Sequence, residues 1–301
     1  GTVSGEGVVP PTPLVFVHGV GGLVFYYQLI ERLTAEIERG SGAAMILLDL
    51  PFVSLRLNDD VPSIADQIES VCRTLDATVG KDTKATFVGH SFGSIVLSWM
   101  VQSAPERVAN CVFLDPICFQ LHLKDTLFNF HMTRVDQNIQ SGKAWENPFS
   151  IGALINLAGT EMHTNFAMLR QFSWATNALW PNDLIRNGIC TSVLLSENDE
   201  IVPTPAIAQL ISQQQRRRPR EPPRQRFLFS LSTWEDALSA IVKRGFTRAS
   251  IMKQATHGEF AFNQTHREKV VSTVLAMMRL DRIRRVREKR GKGISIPLPK
   301  L

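Results

Sequence analysis

Short, predominantly apolar runs alternate along this chain with longer stretches in which apolar side chains return every three or four residues. Leu14–Val17, Ala43–Leu48, Ala85–Val88, Val108–Leu114 and Val193–Leu195 are runs of the first kind, and a further one lies around Ile251-Met252. Their length and lack of polar alternation fit strands buried on both faces. Between them, residues 27–38 read as a helix. From Ser63, placed as an N-cap, Ile64, Ile68, Val71, Cys72 and Leu75 recur at helical spacing. Ser94-Ile95-Val96-Leu97 opens another helix, and Val270, Val271, Val274, Leu275 and Met278 form an apolar stripe that predicts a C-terminal helix docked on the sheet. Strands alternating with helices imply right-handed crossovers and a mostly parallel central sheet, an α/β fold.

Two segments break the alternation. Residues 116–188 pass between two core strands without an evident strand of their own, which predicts an inserted helical cap. Its Phe119, Phe128, Phe130, Trp145, Phe149, Phe166, Phe172, Trp174 and Trp180 suit the packing of the cap and the walls of an apolar pocket. Residues 214–246 form the second insertion. Its first half is polar, arginine-rich and proline-rich and is expected to be a mobile loop, whereas Trp234 to Val242 could form a short helix. The core is then 12–115 and 189–280, preceded by a flexible Gly/Pro-containing leader over 1–11 and followed by a basic tail over 281–301.

At 301 residues, with 44% hydrophobic and 20% charged side chains, the chain can bury a full core. No stretch approaches the ~20 uninterrupted apolar residues of a membrane helix. The first residue is Gly1, so a preceding piece carrying a signal or anchor can be absent; an intracellular location, with membrane association as an option, is the expectation. Cys72, Cys111, Cys118 and Cys190 are too scattered for a disulfide framework and are expected to be reduced. The formal charge of +5 is unevenly placed. Residues 216–226 hold six arginines against one glutamate and residues 279–292 eight basic against two acidic side chains, which leaves the remaining body acidic. Both basic segments could meet an anionic membrane surface, or simply be solvated; nucleic acid is not expected, because no aromatic platform is interleaved with the charges.

The chemistry concentrates where runs end. Gly89-His90-Ser91-Phe92-Gly93 fits G-x-S-x-G between a strand and a helix, the setting in which a sharp turn holds the central serine out as a nucleophile. A serine needs a base and a group to orient that base. His257, before Gly258, is the preferred base among the seven histidines, and Asp199, on the polar turn after Val193–Leu195, is the preferred acid over its neighbours Glu197, Asn198 and Glu200. Asp115, just after Val108–Leu114 and before Pro116, is the alternative acid. The order Ser, Asp, His is the one expected of a nucleophile elbow on an α/β-hydrolase sheet. His18-Gly19-Val20-Gly21-Gly22 follows the first strand. It lacks the spacing of a dinucleotide fingerprint and the lysine of a P-loop, and instead suits an oxyanion loop, with the N–H of Val20, or of Gly21, as one donor and that of Phe92 as the other. His18, Gly19 and His90 support the site, His18 by orienting the loop. His122, His131 and His163 form no metal-ligand spacing, so neither a metal nor a cofactor is expected.

The segments around His18-Gly19, Gly89 to Gly93, Asp199 and His257-Gly258 together resemble the α/β-hydrolase superfamily, over residues 12 to about 280. Within it, Phe113-Leu114-Asp115-Pro116-Ile117-Cys118-Phe119 and His257-Gly258-Glu259-Phe260 look like a group of eukaryotic hydrolase domains often attached to membrane-spanning segments. The resemblance implies an α/β-hydrolase fold with an inserted cap and an esterase- or lipase-like serine hydrolase acting on a carboxylic ester or thioester with an apolar acyl group, such as a small-molecule or lipid ester. A serine at the elbow speaks against haloalkane dehalogenases and epoxide hydrolases, which need a carboxylate there. A lyase or cofactor-free oxidoreductase on the same fold is the alternative, followed by a non-catalytic binding protein.

Overall fold

In a computed structural model describing residues 9–58, 60–126, 128–129, 161–216 and 245–291, the apolar runs become six strands. They are β1 (Leu14–Val17), β2 (Met45–Leu48), β3 (Ala85–His90), β4 (Val108–Leu114), β5 (Cys190–Ser196) and β6 (Thr247–Met252). The order across the sheet is β2-β1-β3-β4-β5-β6, with every pairing parallel. β1, β3, β4 and β5 are buried along their whole length, which explains why they read as unbroken apolar runs, while β2 and β6 at the edges are partly exposed. Val17 stands beside Gly89, His90 beside Leu114 and Ser196 beside Met252, so the loops after these strands leave from one edge of the sheet.

Helices cover both faces. On one lie α2 (Ile64–Val79), whose N-terminus is capped by Ser63 accepting from Asp66 N–H, and α3 (Gly93–Ser103), which runs directly from the turn after β3. α3 is buried from Gly93 to Val101, because it is held between the sheet and the outer helices. On the other face lie α1 (Tyr27–Gly40) and α7 (Gln264–Gly291), which cover Leu14, Phe16, Val88, Val112 and Leu194 and are joined to each other by Arg32 and Glu268 at 2.7 Å. The described part of residues 116–188 contributes α4 (Met162–Phe166), a wider helical turn over Ala167–Gln171, and α5 (Pro181–Arg186), with no strand among its described residues. After β5, α6 (Thr204–Arg216) begins just past Pro203.

The chain departs from the sequence expectations at both ends. α7 continues without a break to Gly291, so residues 281–291 are helix and not tail. Asp281 is buried, accepts from Thr12 Oγ1 (2.6 Å) and Arg285 Nε (2.8 Å), and Val286 packs on Val9. Val9 is likewise buried, within the stretch expected to be a flexible leader. Those contacts give the basic end of the helix apolar and ionic partners that local sequence does not show. Residues 214–216, assigned to the second insertion, extend α6. Phe130, His131, Trp145, Phe149, the 217–244 stretch with Trp234 to Val242, and residues 1–8 and 292–301 lie outside the described residues. All four cysteines are free. Among the described residues no helix is long and apolar enough to cross a membrane, so the structure adds nothing to the likeness with membrane-attached domains.

Candidate active site

Ser91 occupies the turn between β3 and α3 with φ = 50°, a left-handed conformation uncommon outside glycine and asparagine. The turn is held from both sides. Ser91 N–H donates to Leu114 O (3.0 Å), and Ser91 O accepts from Ser94 N–H (3.0 Å) and Ser94 Oγ–H (2.6 Å). Ser94 Oγ in turn accepts from Ile117 N–H (3.0 Å), which ties the elbow to the loop after β4. Gly93 permits the close packing: a Cβ there would lie 2.3 Å from the carbonyl oxygen of Val17.

His257 follows β6 and Asp199 follows β5, and the common strand edge brings both to the serine. His257 Nε2 is 3.0 Å from Ser91 Oγ, and His257 Nδ1 is 2.8 Å from Asp199 Oδ2. Asp199 is fixed by its other oxygen, which accepts from the N–H groups of Ile201 (2.8 Å) and Val202 (2.7 Å). A carboxylate opposite Nδ1 selects the tautomer with hydrogen on that nitrogen, which leaves the Nε2 lone pair facing the serine hydroxyl. The neighbouring candidates have other partners. Glu197 pairs with Lys253 (2.6 Å) and Gln254 N–H, Glu200 accepts from His257 N–H (3.3 Å), and Asn198 donates its backbone N–H to Ala255 O.

Asp115, the alternative acid, takes its closest hydrogen bonds from other groups, with Oδ2 4.0 Å from His90 Nε2. Its oxygens accept from Ser196 N–H (2.7 Å), Ser196 Oγ–H (2.9 Å) and Gly258 N–H (3.0 Å), so it fastens the backbone that carries His257. Complete burial, then the nearby charge of Asp199, pushes its carboxyl up to about 7. His90, Asp115 and His257 bring ligand-type atoms within 4.8 Å of one another, a cluster that sequence spacing does not reveal. Both ring nitrogens of His257 and both oxygens of Asp115 have the partners just described, whereas His90 Nε2 is buried without a hydrogen-bond partner, 4.0 Å from Asp115 Oδ2.

The loop after β1 completes the arrangement. His18 is buried; its Nε2 accepts from Leu50 N–H (2.9 Å), so its hydrogen sits on Nδ1 and is donated to Gly19 O (2.6 Å). Burial lowers its pKa and outweighs the opposing effects of the hydrogen bond to Gly19 O and the charge of Asp49. In a planar trans peptide the carbonyl and the following N–H point in opposite directions. By holding Gly19 O, His18 therefore also directs Val20 N–H. Neither Val20 N–H nor Phe92 N–H has an acceptor among the described residues, whereas Gly21 N–H, the alternative donor, is bonded to Val53 O (2.8 Å). His90 lies under the turn, with its Nδ1 2.5 Å from Tyr26 Oη and its pKa lowered well below the usual value by burial, then by His257 and His18. His122 stacks on Trp180 and His163 contacts the carbonyl of Asn58, both away from this cluster. Tyr26, Ser94 and Ser196 were not singled out from sequence. The chain's two tyrosines, Tyr26 and Tyr27, are adjacent shortly after the glycine-rich turn, a signal that does not say which of them turns inward.

Residues 14–271 match the alpha/beta hydrolase family, and the chain belongs to it. No curated protein matches the sequence. Among solved structures, a thermophilic esterase from Thermogutta terrifontis is 16% identical, with 92% of this chain and 93% of that one covered at a TM-score of 0.55. A carboxylesterase from the thaumarchaeon Nitrososphaera gargenis is 15% identical, with 91% and 93% covered and a TM-score of 0.53. MenH from S. aureus is 15% identical, with 91% and 96% covered and a TM-score of 0.54. At such identities the likeness speaks for the fold alone.

Proposed function

We propose that the protein is a serine hydrolase that cleaves a carboxylic ester or thioester with an apolar acyl group. The observation that carries this reading is the continuous line from Ser91 Oγ through His257 to the doubly held Asp199. Ser91 Oγ attacks the acyl carbon while His257 Nε2 takes the hydroxyl proton and Asp199 stabilises the imidazolium. The carbonyl oxygen becomes an oxyanion received by the N–H groups of Val20 and Phe92. As the tetrahedral species collapses, His257 passes the proton to the departing alcohol or thiol. Water, deprotonated by the same imidazole, then attacks the acyl-Ser91 ester, and the acid leaves with Ser91 regenerated.

A cavity of about 270 Å³ is walled by Phe52, Val61, Ile64, Phe92, Trp99 and Phe172 together with the polar Ser63, Gln67, Gln171, Ser173 and Asn177; its apolar share, which includes the side chain of one oxyanion donor residue, supports an apolar acyl group. Turnover of nitrophenyl esters of graded acyl length tests the reading. Hydrolysis by the parent protein and its loss in Ser91→Ala support it; equal rates in the two proteins refute it.

A further inference from the structure

The oxyanion loop and the nucleophile elbow follow different strands, and the separation between Val20 N–H and Ser91 Oγ depends on what joins them. A buried side chain from a third element does so. Tyr26, at the end of the helical turn Leu23–Tyr26, accepts from Gly19 N–H (2.9 Å), and its oxygen lies 2.5 Å from His90 Nδ1. Gly19 immediately precedes Val20, and His90 immediately precedes Ser91. The described residues offer the phenol hydrogen no acceptor other than Nδ1, so we assign it there, which places the imidazole hydrogen on Nε2, an atom without a hydrogen-bond partner that lies 4.0 Å from Asp115 Oδ2.

The surroundings favour this neutral arrangement. Tyr26 is packed against Phe16, His90 and Phe260 at centroid distances of 5.1, 5.5 and 6.3 Å. Burial raises its pKa and so keeps the phenol protonated, as it keeps His90 uncharged. Gly19 allows the approach: a Cβ there would meet His90 Nδ1 at 2.9 Å, Ser91 Cβ at 3.0 Å and Tyr26 Oη at 3.0 Å. The two segments therefore touch at the point where the tyrosine bridges them.

We propose that the Tyr26 hydroxyl and His90 Nδ1 form a positioning clamp that holds the oxyanion loop in register with the nucleophile; the inference rests on the hydrolase reading above. Neither group touches the substrate. The clamp acts through Val20 N–H, whose bond to the substrate oxygen strengthens as negative charge develops. Its loss therefore slows the chemical step and leaves ground-state binding nearly unchanged.

Steady-state kinetics on an ester substrate, together with ¹⁵N spectra of the labelled histidines, test this. Tyr26→Phe, which keeps the ring, lowers kcat about tenfold with KM nearly constant, as expected for one lost hydrogen bond. His90→Leu has a similar effect, and the double variant is no slower than the slower single one, because both remove the same bond. His90→Asn, whose amide oxygen can accept the phenol hydrogen, recovers most of the rate lost in His90→Leu. Equal losses in the Asn and Leu variants, additive losses, or a raised KM at constant kcat overturn the proposal. Independently of turnover, the parent spectra show Nδ1 of His90 as an acceptor and Nε2 protonated, and Tyr26→Phe changes that pattern. If the pattern is absent while turnover depends on Ser91, the clamp alone fails; if it is present but turnover does not need Ser91, the hydrolase reading fails and the catalytic role of the clamp with it.

Discussion

Asp199→Asn exchanges one carboxylate oxygen for an amide nitrogen at constant shape, and the surrounding hydrogen bonds dictate which one. Oδ1 accepts from Ile201 N–H (2.8 Å) and Val202 N–H (2.7 Å), while Oδ2 faces His257 Nδ1 (2.8 Å). In the variant, the two backbone donors select the amide oxygen, so the NH₂ group turns to the imidazole. Two donors cannot share that line. The ring hydrogen moves to Nε2 and points at Ser91 Oγ, 3.0 Å away, where a base is needed. A serine-histidine pair locked in that tautomer loses roughly 10⁴ in kcat, about 5.5 kcal/mol of transition-state stabilisation. The fold survives, since both backbone donors keep an acceptor. Asp115→Asn gives the contrast, because its carboxyl holds Ser196 and Gly258, whereas the carboxylate 2.8 Å from His257 Nδ1 is that of Asp199. Its effect on kcat is smaller by orders of magnitude. The assay is nitrophenyl ester turnover by both variants, with circular dichroism and thermal unfolding to verify folding. The reasoning is refuted by Asp199→Asn remaining within tenfold of the parent, or by the two variants exchanging places.

Gly93→Ala places a methyl carbon 2.3 Å from Val17 O and 2.8 Å from His18 O, backbone atoms that cannot swing aside. We expect a loss of about 1–3 kcal/mol or more in urea unfolding, and unchanged stability would show that β1 and α3 are less tightly apposed than described. The buried neutral His90 makes stability depend on pH. Its folded pKa lies well below 6.5, so as pH falls below 6.5 the unfolded chain binds a proton that the folded chain does not, and stability declines. His90→Asn removes that contribution, and its unfolding free energy falls less steeply between pH 6.5 and 5, by about 1.4 kcal/mol per pH unit at most. Parallel curves for parent and variant would contradict a neutral buried imidazole. Asp115, whose carboxyl is raised to about 7, has the opposite sign and is common to both proteins, so it cancels in the comparison.

The strands were legible because a parallel sheet covered on both faces leaves no polar alternation, and β1, β3, β4 and β5 are of this kind. β6 was harder to bound: it is an edge strand carrying Arg248 and Ser250, and only its end looks apolar. Ser91 and His257, which the structure brings to 3.0 Å, could be picked out for a local reason, since each sits in a glycine-containing turn whose position after a strand could be read. The acid was not decided by type. Asp115 and Asp199 both follow strands, and what separates them is spatial: Asp199 Oδ2 lies 2.8 Å from His257 Nδ1, while Asp115 is held by Ser196 and Gly258. Tyr26 was invisible because its contacts are with Gly19 and His90, residues 7 and 64 positions away. The length of α7 was hidden in the same way: Asp281 finds its partner in Thr12, 269 positions earlier.

That Ser91 is the nucleophile is tested most directly by mass spectrometry of the protein after brief exposure to a fluorophosphonate. The account predicts one adduct, on the peptide containing Ser91, formed quickly by the parent, far more slowly by His257→Ala, and not at all by Ser91→Ala. An adduct on another residue, or ester turnover by Ser91→Ala at the parent rate, would contradict it.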